Sequence, residues 1–134
     1  EDDFSLAITE YDVETTDEDL YGDWTRDFLT VSFASPAVDR FLMWGFDDGT
    51  HWKKSAPLFY KDWTPKPGLA HWRNLVLNEW WTRESSNSDA AGFASFRPFL
   101  GDHRVTVIDP RSGAITERNI SVSRGGKSIE VLLD

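Results

Sequence analysis

Val38-Asp39-Arg40-Phe41-Leu42-Met43-Trp44-Gly45-Phe46 is the stretch from which the fold of this 134-residue chain is read. It is a largely continuous apolar run rather than an alternating one, the pattern of a strand buried on both faces. Working upstream, Leu20, Trp24, Phe28, Val31 and either Leu29 or Phe33 recur at helical spacing as far as Ala34, where Ser35-Pro36 stops the helix. Thr16 or Asp17 is placed to N-cap that helix, with acidic residues in its first turn as the helix dipole prefers. Further upstream, residues 4–13 form a short apolar strand that ends in Thr9-Glu10-Tyr11-Asp12. Downstream, a loop runs from Asp47 to about Pro67, and Leu69, Trp72, Leu75, Val76 and Trp80 mark a second amphipathic helix. Strand, helix, strand, helix with continuous apolar strands predicts parallel α/β structure.

After Trp81 the texture changes. Arg83 to Ala91 is polar and turn-rich, and Phe93, Phe96 and Phe99 lead to Gly101-Asp102 and a cleanly alternating run, Arg104-Val105-Thr106-Val107-Ile108. Asp109-Pro110-Arg111-Ser112-Gly113 is a turn, Ile115 to Val122 a strand, Gly125-Gly126-Lys127 a second turn, and Ile129 to Leu133 a closing strand. The expected division is therefore residues 1–81 and a small antiparallel β module over 82–134, α+β taken together.

Composition narrows the function. Apolar content of 40% with seven Trp and nine Phe argues for aromatic-rich packing or recognition rather than disorder. A net charge of −9 argues against nucleic acid, whose phosphates need a basic footprint, and against an anionic membrane surface. Neutral polysaccharide is compatible with such a chain. Without cysteine there is neither a disulfide framework nor thiolate chemistry. No apolar run approaches a membrane span and no signal peptide heads the chain; the abrupt Glu1-Asp2-Asp3 start reads as trimmed.

Glu10 and the indoles of Trp44 and Trp52 carry the chemistry. A strand-end carboxylate can stabilise or attack a cationic anomeric carbon, and flat indole faces stack on the C–H faces of pyranose rings. His51, beside Trp52, is a candidate to reach a sugar hydroxyl. Other features have plainer readings: Trp24, Trp72 and Trp80 lie at helical spacing and read as packing residues, while Trp63 fits either packing or a functional role, with packing favoured by the adjacent Pro65 and Pro67. Asp47-Asp48-Gly49 reads as a turn, since it lacks the alternating oxygen ligands of a calcium loop. His51, His71 and His103 are too scattered for a zinc site, and no metal or cofactor is expected.

Thr9-Glu10-Tyr11-Asp12, then Trp44-Gly45-Phe46-Asp47-Asp48-Gly49-Thr50-His51-Trp52, then Asp62-Trp63-Thr64-Pro65-Lys66-Pro67, resemble the last two βα units of family 10 glycoside hydrolases, which are (β/α)8 TIM-barrel endo-β-1,4-xylanases. The resemblance spans residues 6 to about 81. Asn78-Glu79-Trp80-Trp81-Thr82, Asp89-Ala90-Ala91-Gly92 and Phe99-Leu100-Gly101-Asp102 resemble the β appendage, sandwich-like, that follows the barrel in some members. The resemblance implies that Glu10 is the nucleophile of a retaining hydrolase, that Trp44 floors the reactive subsite, that Trp52 closes over it and that Asp12 orients local hydrogen bonds. It places the acid/base on a barrel strand outside this chain; Asn78-Glu79 repeats the family's dipeptide but ends a helical pattern and is not assigned the role.

The expected partner is a β-1,4-linked polysaccharide, xylan or else cellulose or mixed-linkage glucan, met by a secreted protein. The enzyme reading requires the rest of a barrel; the alternative is a non-catalytic carbohydrate-binding module working through its Trp platforms. Two barrel units alone leave open sheet edges, so a homo-oligomer or pairing with a missing N-terminal barrel segment is expected.

Overall fold

Capping and breaking residues set the main helix where the sequence places it. In the computed structural model, which describes residues 4–132, α1 spans Glu18–Ala34. Asp17 is its N-cap, its carboxylate accepting from the Leu20 N–H at 3.0 Å, and Glu18 and Asp19 occupy the first turn. The helix stops at Ser35, before Pro36.

On either side of α1 lie β1, Leu6–Ile8, and β2, Val38–Phe41, paired in parallel with Ile8 opposite Phe41. The pairing continues as single bonds, from the Leu42 N–H to the Ile8 carbonyl at 2.8 Å and from the Trp44 N–H to the Tyr11 carbonyl at 3.5 Å. Both strands are shorter than expected: β2 was read through Phe46, but the chain leaves the sheet after Phe41. Phe46 instead accepts from the Phe59 N–H at 3.0 Å, inside the long loop that follows. That loop is folded on itself, with Ala56, Pro57 and Leu58 buried. Lys66 lies within it, 6% exposed, its ammonium bonded to Asp48 Oδ1 at 2.7 Å and the Ser55 carbonyl at 3.0 Å. A buried cation with both partners in place fastens the two ends of the loop.

α2 spans Gly68–Asn74 and runs into a π turn at Leu75–Glu79. It crosses α1 closely because both helices present glycine. A Cβ on Gly68 would stand 2.5 Å from Tyr21 Cδ1, and one on Gly22 would stand 2.9 Å from His71 Cδ2. Tyr21, Leu58 and Leu69 form the core there, with Val13, Met43, Phe59 and Trp72 packed around it. The Tyr21 hydroxyl donates to the Ala56 carbonyl at 2.7 Å, and burial, aided by the nearby Tyr11, drives its pKa upward.

The buried face of α1 is one residue out of phase with the apolar stripe expected from sequence. Tyr21, Gly22, Thr25, Leu29 and Ser32 are buried, whereas Leu20, Trp24 and Val31 are 53%, 55% and 70% exposed. Phe28 is 37% exposed, with its ring stacked on Tyr11 at 5.2 Å. Trp24 is therefore not a packing residue within this unit, while Trp80 does pack, its ring stacked on Phe33 at 4.0 Å. The helix is apolar on two faces and covers one of them.

The chain divides into two compact units, residues 1–80 and 81–134. In the second, β3 (Gly101–Ile108) and β4 (Ile115–Val122) pair antiparallel in unbroken register from Gly101 opposite Val122 to Ile108 opposite Ile115. The closing strand expected over Ile129 to Leu133 is absent from Ile129 to Leu132, which pair with no strand; Leu133 and the Glu1-Asp2-Asp3 start lie outside the described residues. Among the described residues no helix is long and apolar enough to cross a membrane.

Candidate functional site

The segment that leaves β1 carries Glu10 and Asp12, and the segment that leaves β2 carries Trp44 and the Asp47–Trp52 turn. Parallel pairing puts both segments at the C-terminal end of the two strands, and the Trp44 N–H bonds to the carbonyl of Tyr11, the neighbour of Glu10. The Asp47–Trp52 turn meets the same place through His51, whose Nε2 lies 3.1 Å from Asp12 Oδ1. Glu10, Asp12, Trp44, His51 and Trp52, scattered over 43 positions of sequence (52 − 10 + 1), are thus brought to one end of the parallel pair.

Their exposures differ sharply. Glu10 is exposed, because β1 ends two residues before it. Trp44 and Trp52 are 52% and 70% exposed and so present indole faces to solvent. The Lys53 ammonium lies 4.9 Å from the Trp52 ring centroid, and the His51 ring lies 6.4 Å from it at an interplanar angle of 28°. His51 is only 5% exposed, so in this structure its ring is not offered to a sugar hydroxyl.

The turn bearing His51 and Trp52 is held by Asp47. Its Oδ1 accepts from the Gly49 and Thr50 N–H groups at 2.8 and 3.2 Å, and its Oδ2 from the Thr50 hydroxyl at 2.7 Å. The Thr50 hydroxyl above all, with these amides, holds the carboxyl below its ordinary pKa. Asp47-Asp48-Gly49 is accordingly a side-chain-anchored turn. Among the described residues no group of three or more His, Asp or Glu side chains is disposed to hold a metal ion.

Three features of this region escaped the sequence reading: the contact of His51 with Asp12, the buried Lys66–Asp48 pair, and the need for glycine at position 45. A Cβ on Gly45 would stand 2.3 Å from His51 Cδ2. Only the Gly45 contact left a trace in sequence, a glycine within an otherwise bulky apolar run. Asn78-Glu79 lies in the π turn, where Glu79 accepts from Asn74 Nδ2 at 2.6 Å. Two concavities, of about 400 and 550 Å³, lie instead against the β3–β4 hairpin, lined by residues such as Arg104, Asn119, Ile120 and Lys127. They are shallow and lack an acid–aromatic grouping, so the β1–β2 end is the better candidate on chemistry.

No family model matches the chain. It is 32% identical over 126 residues to anti-sigma-I factor RsgI6 of Acetivibrio thermocellus, a match covering 93% of this chain and 16% of that protein. It is 27% identical over 129 residues to endo-1,4-beta-xylanase 2 of Arabidopsis thaliana, covering 96% of this chain and 12% of that protein. The chain therefore spans a small part of each relative. It is distantly similar to a xylanase and, over nearly the same length, to an anti-sigma factor.

Proposed function

We propose that this chain is the C-terminal part of a family 10 xylanase-like glycan site, its first unit the last two βα units of a (β/α)8 barrel and its second a β appendage. The observation that carries this reading is the gathering of Glu10, Asp12, Trp44 and Trp52 at the C-terminal end of a parallel β pair, where barrel enzymes keep their chemistry. The distant similarity to a plant endo-xylanase over nearly the whole chain supports the same reading. In it, Glu10 is the nucleophile of retaining hydrolysis of xylan or a related β-1,4-glycan, and the two indoles hold the pyranose ring over it. The second carboxylate, about 5–5.5 Å away across the anomeric carbon, comes from another part of the barrel. The protein acts outside the cell.

Surface energetics favour a covering partner. Leu20, Trp24 and Val31 on α1 and both edges of the β1–β2 pair stand open. Pairing with an N-terminal barrel segment, or self-association of the isolated chain, removes that surface from water. Light scattering on the eluting chain is expected to give more than the monomer mass; a stable monomer sinks this account of the edges.

The second reading is a binding module without turnover, favoured by the exposure of Trp52. Incubation with xylan, mixed-linkage glucan and cellulose, with the chain joined to the N-terminal part of a family 10 barrel that supplies the acid/base, separates the two. Reducing ends released by the chain and abolished in Glu10→Gln establish catalysis. Retention without release, lost in Trp52→Ala, establishes binding, and neither signal overturns both readings.

A further inference from the structure

We infer that His51 is a positioning residue, whose buried ring fixes where the Trp52 indole stands relative to Glu10 and Trp44. The geometry is a grip on both sides of Trp52. The Lys53 N–H donates to His51 Nδ1 at 2.9 Å, with the Lys53 carbonyl also 2.8 Å from that nitrogen. The side chain of residue 51 is thereby closed onto the backbone of residue 53, and the Trp52 backbone is held between them while its indole stays 70% exposed.

Nδ1 is thus engaged by the Lys53 backbone, and Nε2 faces the segment following β1. Nε2 lies 3.1 Å from Asp12 Oδ1 and, among the described residues, has no hydrogen-bond partner. A buried imidazole nitrogen left in that state is costly. Asp12, its polar neighbour, sits two residues from Glu10, so this close contact seats the Trp52 turn against the carboxylate-bearing segment. Gly45 completes the cradle: no Cβ fits there while the ring remains. His51 itself, at 5% exposure, acts through Trp52 rather than on a ligand. The consequence for glycan affinity rests on the xylan-site reading above; the positioning role does not.

The test uses the full chain labelled with 5-fluorotryptophan, the Trp52 resonance being assigned by its loss in Trp52→Phe. His51→Leu, Asp12→Asn and Gly45→Ala are each expected to shift or broaden that resonance and leave those of Trp72 and Trp80 in place. His51→Asn, which keeps an acceptor for the Lys53 N–H, is expected to restore it. His51→Leu is also expected to weaken xylohexaose binding about tenfold. An unmoved Trp52 resonance in His51→Leu and Gly45→Ala overturns the proposal. Should His51→Leu fail to fold, Gly45→Ala and Asp12→Asn decide it by the same signal. A wild-type chain that does not bind xylohexaose removes the glycan reading, and the fluorine spectra still decide the role of His51.

Discussion

Asp47 in the first unit and Asp109 in the second anchor turns of the same design. Each accepts from the backbone N–H two residues on, at 2.8 Å from Gly49 and 2.9 Å from Arg111. Each accepts from a hydroxyl three residues on, at 2.7 Å from Thr50 and 2.8 Å from Ser112. In each, the N–H four residues on returns to the aspartate carbonyl, 3.2 Å from His51 and 2.8 Å from Gly113. The turns differ at that last position. Gly113 adopts φ 73° and sends the chain back into β4, whereas His51 buries a ring against Gly45 and Asp12. One local device thus closes a hairpin in one unit and presents an indole in the other, and the fifth residue makes the difference.

The largest expected contrast lies beneath the turns. Leu29, 3% exposed, sits in the closed core of the first unit, and Leu29→Ala should cost about 2–5 kcal/mol there. Ile120 on the half-buried face of β4 should cost only about 1 kcal/mol when truncated. Hydrogen exchange resolved by unit checks this, and equal losses would mean that the two cores are equivalent. Next, Asp47→Ala should accelerate exchange at Gly49 to His51 about tenfold and disturb Trp52, while Asp109→Ala does so only at Arg111 to Gly113. If Trp52 is unmoved, the first turn is no platform.

Smaller effects separate conformational from steric roles of glycine. Gly113 has open space around it but a positive φ, so Gly113→Ala should destabilise the hairpin by about 1 kcal/mol in thermal unfolding. Gly49→Ala should act by collision, because its Cβ would stand 2.8 Å from Asp47 Oδ1. The smallest effect is on titration. Both carboxyls are held below the ordinary value of 3.8, so both turns have this stabilisation above that pH and lose it as pH falls through the lower folded values. The leading cause is the Thr50 hydroxyl for Asp47 and the Arg111 amide for Asp109. A carboxyl carbon NMR titration should therefore show Thr50→Val raising the Asp47 value more than Ser112→Ala raises that of Asp109.

Both turns were legible in sequence, because Asp, Gly, Pro and hydroxyl residues act on their own backbone. The start and stop of α1 were legible for the same reason, through Asp17 and Ser35-Pro36. The length of β2 was not, since Leu42 to Phe46 is as apolar as the strand before it, yet Phe46 bonds to Phe59 in the following loop. Nor was a closing strand at Ile129 realised: an apolar run becomes a strand only where an edge receives it. At the candidate site, Glu10, Trp44 and Trp52 were legible as residue types, and their meeting at one end followed from parallel pairing. The burial of His51 was not, because a loop histidine has no periodicity to betray which way it faces.

The sequence by itself determined where α1 begins and ends, the two aspartate turns, the β3–β4 hairpin and the residue types able to hold a sugar ring, all through contacts a few positions apart. Only the tertiary structure decided which face of α1 is covered and which side chains at the β1–β2 end face solvent. Adjacent helical stripes differ by about 100° of rotation, and α1 carries apolar residues on both, so periodicity alone cannot choose between them. The close crossing at Gly22 and Gly68 chooses the Tyr21 stripe. Asp12 and Gly45, distant in sequence from each other, give the His51 ring its place.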